Sequence, residues 1–240
     1  MFFRTLIQTI KTKKKLFSLC GVAALLSLSA VYICGDFGQE DLAAAAAPYY
    51  NGETGEKQVA ICVNVDWGED YIPPMLATFA AHDVKATFFL TGRWTEKFPD
   101  VAKEILDSGM EIGNHGLKHT SPNRMSYEEN KADIEAAASI IEDTLHVKTV
   151  LFAPAAGEID EQVQQAAADL GYRLILWSVD TIDWQKPEAE TIVTRVADQV
   201  EDGSIILMHP TEHTAAALEG ILDVLAEKGL KAVPVSALIE

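Results

Sequence analysis

The sequence predicts a parallel α/β domain set behind an N-terminal apolar segment. Short β-rich apolar runs alternate with helical patterns from residue 58 to the end. Five of those runs finish on chemically capable residues: Asp66, Asn114-His115, Pro154, Asp180 and His209. Ahead of them, Leu16 to Cys34 is a stretch of 19 residues without a charge.

The apolar stretch follows Arg4, Lys11, Lys13, Lys14 and Lys15. A helix needs roughly 20 apolar residues to span a bilayer core, and a basic flank stays on the cytoplasmic side. Residues 1–15 are therefore expected in the cytoplasm, residues 16–34 in the cell membrane, and the rest outside. The small residues Ala43 to Ala47 would suit signal peptidase, which would leave a secreted protein. They lie well beyond the apolar stretch, which is itself longer than a signal-peptide core of about 7–15 residues, so an uncleaved single-pass anchor is the expectation. Residues 35–57 read as a polar, alanine-rich linker. Cys20 and Cys34 belong to the membrane segment, leaving Cys62 alone in an apolar run. One cysteine makes no internal disulfide, so residues 58–240 must rely on their core.

Within that domain, strand-like runs occupy 58–66, 85–91, 109–114, 149–154, 173–179, 204–209 and 231–235. Helical patterns fill the intervals at 71–82, 95–108, 126–146, 160–170, 188–201 and 213–228. Strands separated by helices pair in parallel through right-handed crossovers. Seven strands and six intervening helices suit a doubly wound sheet or a barrel related to the (β/α)₈ form, and periodicity does not separate the two.

Charge excludes one class of partner. Residues 1–47 hold five of the chain's 19 Lys/Arg and three of its 36 Asp/Glu, so the remaining 193 residues carry a net charge of −19. Such a field repels nucleic acid and anionic membrane surfaces. A neutral or partly cationic polymer is an easier partner.

In a parallel β/α fold the C-terminal strand ends converge on one face, where active sites are built. The chain has only six histidines. His115 and His119, four residues apart after a strand, are the candidate metal pair. Asp66 could serve as general base or as third ligand, because Asp70 is better placed to cap the following helix. His209 ends a strongly apolar strand, and with Asp183 to orient it, it reads as a general acid. Trp184 follows Asp183 in a loop, where an indole packs against a sugar face or a substrate methyl; Trp177 could simply be core. His82, His146 and His213 read as surface residues.

These segments, in this order, resemble the NodB-homology polysaccharide deacetylases of carbohydrate esterase family four. The resemblance covers about residues 58–240. The family's Thr-Phe-Asp-Asp-Gly is similar to Asn64-Val65-Asp66-Trp67-Gly68, and His-Ser-x-x-His to His115-Gly116-Leu117-Lys118-His119. Arg-x-Pro-Tyr-Gly aligns with Ala153-Pro154-Ala155-Ala156-Gly157, Asp-x-x-Asp-Trp with Asp180-Thr181-Ile182-Asp183-Trp184, and Leu-x-His with Leu207-Met208-His209. Lys85-Ala86-Thr87-Phe88-Phe89 resembles the family's second strand.

The resemblance implies a distorted (β/α) barrel of about seven parallel strands that removes acetyl groups from N-acetylated glycan, peptidoglycan or chitin-like. It implies a divalent ion, zinc ahead of cobalt or a similar metal, held by His115 and His119, with Asp66 to take over as third ligand. Asp66 would be the base, His209 the acid and Asp183 its tuning partner, with Trp184, Pro154 and Ala156 against the substrate. Three positions depart from the pattern. The metal-ligating second aspartate is Trp67, and an indole cannot coordinate zinc. The arginine that pairs with the base is Ala153. The aromatic of the oxyanion site is Ala156, which keeps its backbone N–H. The altered first and third motifs are similar to those of the family's sporulation-associated branch. The expectation is a metal-dependent deacetylase of cell-wall or spore-wall glycan, with hydrolysis of a different acyl or amide bond and glycan binding without turnover as the alternatives.

Overall fold

The computed structural model describes residues 47–52 and 55–240. The expected membrane segment lies outside the described residues. Among those described, no helix is long and apolar enough to cross a membrane.

The domain is the curled parallel sheet of a distorted (β/α) barrel. Its strands are β1 (Gln58–Val65), β2 (Thr87–Leu90), β3 (Glu111–Asn114), β4 (Leu151–Phe152), β5 (Arg173–Leu174), β6 (Val179–Asp180), β7 (Ile205–Met208) and β8 (Lys231–Val233). They run in the order β5-β4-β3-β2-β1-β7-β6, with β8 beside the first residues of β1. Every pairing between them is parallel.

The described residues form the expected sheet of about seven parallel strands, counted as eight because the run 173–179 serves both ends of the sheet. Its beginning pairs with β4 as β5, and its end pairs with β7 as β6. Between the two, Leu176 N–H donates to the Tyr49 carbonyl and Tyr49 N–H to the Leu174 carbonyl, each at 2.8 Å. Residues 47–52 thus strap the gap that the run crosses: beyond Tyr49, Gly52 N–H donates to the Gly203 carbonyl at 2.8 Å.

Helices α1 (Ile72–Ala81), α2 (Gly92–Lys97), α3 (Pro99–Asp107), α4 (Tyr127–Leu145), α5 (Glu161–Asp169), α6 (Ala189–Gln199), α7 (Glu212–Glu227) and the short α8 (Val235–Leu238) connect or follow the strands. The pattern at 95–108 suggested one helix, and two are present. Pro99 has no N–H to continue α2 and instead opens α3, a position that suits its fixed φ. Starts are sealed by side chains. The Thr91 hydroxyl accepts from Trp94 N–H, Ser126 and Glu129 form a reciprocal capping box, and Asp160 and Thr211 cap α5 and α7.

Strand β1 sorts its residues by parity, as period-two geometry requires. Val59, Ile61, Val63 and Val65 pack outward with α1 and α7 in the large core. Ala60 and Cys62 face the smaller interior cluster with Phe89, Ile175 and Ile205. The interior row is built of small residues and then turns polar at Asn64 and Asp66, just where β1 reaches the C-terminal face.

Gly203 has φ of +85°, and a Cβ there would lie 2.3 Å from the Gly52 carbonyl oxygen. Gly203→Ala should therefore detach the strap and destabilise the domain by about 1–3 kcal/mol, through left-handed strain and lost backbone bonds. Urea denaturation, with proteolysis after Tyr49 or Tyr50 as a second probe, checks this.

Candidate active site

The histidine loop is held by its neighbours before any ligand is considered. At the end of β3, the Asn114 amide donates to the Ile134 carbonyl at 2.9 Å, and its oxygen accepts from Gly116 N–H at 2.8 Å. Leu117 N–H donates to the Asp133 carboxylate at 2.8 Å. His115 is buried and donates from Nδ1 to the Ala153 carbonyl at 2.6 Å. That bond selects the neutral tautomer with Nε2 as the acceptor nitrogen. Burial, and next the neighbouring His119, pull the His115 pKa down to about 3. The two rings face edge to face at 71°, with centroids 5.1 Å apart.

Asp66 has donors on both oxygens. Oδ1 accepts from the Thr91 hydroxyl at 2.8 Å and from Arg93 Nε at 2.7 Å, while an Arg93 Nη bonds Oδ2. The carboxylate is only 6% exposed. Arg93 belongs to α2, so the base position keeps a guanidinium partner although the third-motif position is Ala153. Arg93 also donates its backbone N–H to the Leu117 carbonyl at 2.9 Å, tying the first motif to the histidine loop. Its place just past the C-terminal end of β2 is the sequence signal for it, outside every family motif.

His209 is fixed from behind. Its Nδ1 donates to Asp183 Oδ1 at 2.7 Å, and its backbone N–H donates to Oδ2 at 2.6 Å. The Thr214 hydroxyl adds a third bond to Oδ2 at 2.6 Å. Asp183 is fully buried. The loop that delivers it carries strain: Ile182, a β-branched residue, sits at φ 51°. Asp180 compensates by accepting Ile182 N–H at 2.8 Å, and the Arg195 guanidinium holds the Thr181 carbonyl.

Trp67 stacks on the His209 imidazole, with centroids 5.9 Å apart and planes 11° from parallel. Gly68 permits this placement. Its φ is +87°, and a Cβ would stand 2.0 Å from the Pro210 carbonyl oxygen.

These groups border a cleft of 390 Å³ lined by Asn64, Trp67, His119, Ala156, Trp177, Asp180, Trp184, Leu207 and His209. Three of the chain's four tryptophans therefore meet here. Trp184 and Ala156, both placed against substrate by the resemblance, fall on the lining. Trp177, which could have been core, is also a wall. Asp66, His115 and Pro154 lie outside the lining, and Asp183 sits behind His209.

The His115 and His119 rings neighbour each other at 5.1 Å between centroids. Among the described residues, however, no group of three His, Cys, Asp or Glu side chains could hold one. Asp66 is occupied by Arg93 and Thr91, and Trp67 stands at the missing ligand position. The residues present do not fit a three-ligand site of the usual zinc kind.

A curled parallel β/α sheet, with paired imidazoles, a carboxylate-backed histidine and an aromatic cleft at its C-terminal strand ends, defines a carbohydrate-esterase type of domain. The family model for polysaccharide deacetylase matches residues 51–175, and the chain belongs to that family. It is 38% identical over 182 residues to the uncharacterised protein YlxY of Bacillus subtilis, which covers 76% of this chain and 57% of that protein. The chain thus spans little more than half the length of that relative. It is 33% identical to a peptidoglycan-N-acetylglucosamine deacetylase of Bacillus cereus, over 80% of this chain and 93% of the other. The crystal structure of BA3943 from Bacillus anthracis, a CE4 family pseudoenzyme, superposes with a TM-score of 0.79 at 37% identity, covering 81% of this chain and 69% of that one. A mutant of that pseudoenzyme with restored enzymatic activity matches equally well, with a TM-score of 0.79.

Two outcomes follow from the geometry. His115 is neutral when folded down to about pH 3, whereas in the unfolded chain it takes up a proton below about 6.5. Its contribution to stability is complete above the unfolded value and is lost as pH falls toward the folded one, by at most about 1.4 kcal/mol per pH unit. Urea titrations at several pH values should show that slope, and His115→Gln should flatten it. Asp183→Ala should cost about 3–5 kcal/mol, because it strands His209 and Thr214 donors in a buried site; thermal unfolding checks it.

Proposed function

We propose that the domain binds N-acetylated envelope glycan, of cell wall or spore wall, in the tryptophan-walled cleft, and that its deacetylase turnover is impaired. The observation that carries this reading is Trp67. It occupies the position of a metal-ligating carboxylate and offers an indole face next to His209. Trp67 and Trp184 are 44% and 55% exposed, unusual for large apolar side chains unless they meet a partner. Indole faces pack against the apolar faces of sugar rings. Likeness to peptidoglycan deacetylases and to a pseudoenzyme of the same family supports both halves of the proposal.

A second reading is metal-dependent removal of N-acetyl groups at a low rate. The intact His209–Asp183 pair favours it: Nδ1 is committed to the carboxylate, so Nε2 is left to give a proton to a departing amine. The divalent ion would supply carbonyl polarisation and an activated water, and it would need Asp66 or solvent to complete its coordination. We further propose that residues 16–34 tether the domain to the outer face of the cell membrane, supported by their length, their apolarity and the basic flank.

Calorimetric titration with chitotetraose, alongside an acetate-release assay, separates the readings. Expected are binding that persists in chelator, a loss of about tenfold or more in Trp184→Ala, and acetate release far below that of the Bacillus cereus relative. Chelator-sensitive acetate release that disappears in His209→Ala would overturn the impaired reading in favour of the second. Protease accessibility of intact cells tests the tether, with a domain resistant until lysis counting against it.

A further inference from the structure

The floor of the cleft holds a polar side chain with an unanswered acceptor. Asn64 is 4% exposed, continues the interior row of β1 after Ala60 and Cys62, and lines the cleft. Its Oδ1 is buried without a hydrogen-bond partner. A buried acceptor in that condition costs about 1–3 kcal/mol of desolvation, so the fold carries an amide that it does not itself use.

The surroundings limit what would answer it. Register places Asn64 one step beyond Cys62, which pairs with Leu207, and Leu207 pairs with Asp180 on the next strand. Asn64, Leu207 and Asp180 therefore form a floor across β1, β7 and β6, with His209 at its rim. Asp180 already spends one oxygen on Ile182 N–H. An acceptor, an apolar side chain and an imidazole lie together on this surface. An acetamido group presents the complementary set: an N–H, a methyl and a carbonyl oxygen. A plain sugar hydroxyl supplies a donor and an acceptor at a single atom, but no methyl to meet the apolar side chain.

We propose that Asn64 Oδ1 accepts the acetamido N–H of a bound N-acetylated sugar, which makes Asn64 the residue that selects acetylated glycan over its hydroxyl counterpart. This rests on the glycan-binding reading above and gives that site its specificity. The position is Asn where the family's first motif has Thr, so the selection belongs to this chain's own version of the site.

The test compares chitotetraose with cellotetraose, neutral β-linked oligomers that differ in carrying an acetamide or a hydroxyl at each ring. Asn64→Leu keeps the side-chain volume and removes the amide. Its melting temperature should be no lower than that of the wild type, since it deletes an unpaired buried acceptor, whereas an amide with a structural role would lower it. Its affinity for chitotetraose should fall by about tenfold or more, with cellotetraose affinity unchanged, so that the preference collapses. Asn64→Ala, which only shortens the side chain, should give the same collapse if the leucine variant folds poorly. An unchanged preference in both variants, or equal weakening of both oligomers, overturns the assignment while leaving the glycan-binding reading intact. Failure of the wild type to bind chitotetraose overturns both.

Discussion

The cleft depends on one buried charge. Asp183 is fully buried and accepts three hydrogen bonds, from the backbone and ring of His209 and from the Thr214 hydroxyl. An isolated carboxylate would be too costly in that position, and three short donors offset the cost. The bonds also join three elements: the loop after β6, the end of β7 and the first turn of α7. The His209 orientation, the Trp67 stack upon it and the aromatic wall at Trp184 all follow from that junction.

Around this anchor, side-chain packing occupies positions where the resemblance implied metal ligands. The two imidazoles remain, and His115 is held in the tautomer a ligand would need. The third carboxylate does not remain, since Trp67 covers the imidazole of His209. Asp66 persists, but a guanidinium and a hydroxyl saturate it. The guanidinium comes from α2, although the motif position that would normally provide it is Ala153. An arginine next door in space has filled a role that sequence alignment assigns elsewhere. A site arranged in this way keeps the His209–Asp183 pair and its aromatic walls, and has an indole where the family pattern has a carboxylate.

The strap at residues 47–52 shows how local sequence is overruled by closure. Residues 173–179 are apolar and β-rich, and read as one strand. They cannot act as one, because a curled sheet presents them first to β4 and then to β7, and the crossing between needs different partners. Tyr49 provides those partners. Trp177 lies in this crossing, where its indole packs against the interior cluster and also walls the cleft.

The sequence alone determined the parallel β/α class, the convergence of the strand ends, the His115–His119 pair, and the pairing of His209 with Asp183. The first three depend on periodicity or on spacing within one motif, and the last on the order of two motifs at neighbouring strand ends; such patterns survive without coordinates. It also exposed the loss at Trp67, since side-chain chemistry decides what can bind a metal. Only the tertiary structure decided that Arg93 holds Asp66, that Trp67 lies flat on His209, that Trp177 joins the cleft, and that Asn64 keeps an unmet acceptor on its floor. The first two are contacts between residues 27 and 142 positions apart. They arise from the curl of the sheet, and no local pattern of residues encodes where that curl brings two side chains together.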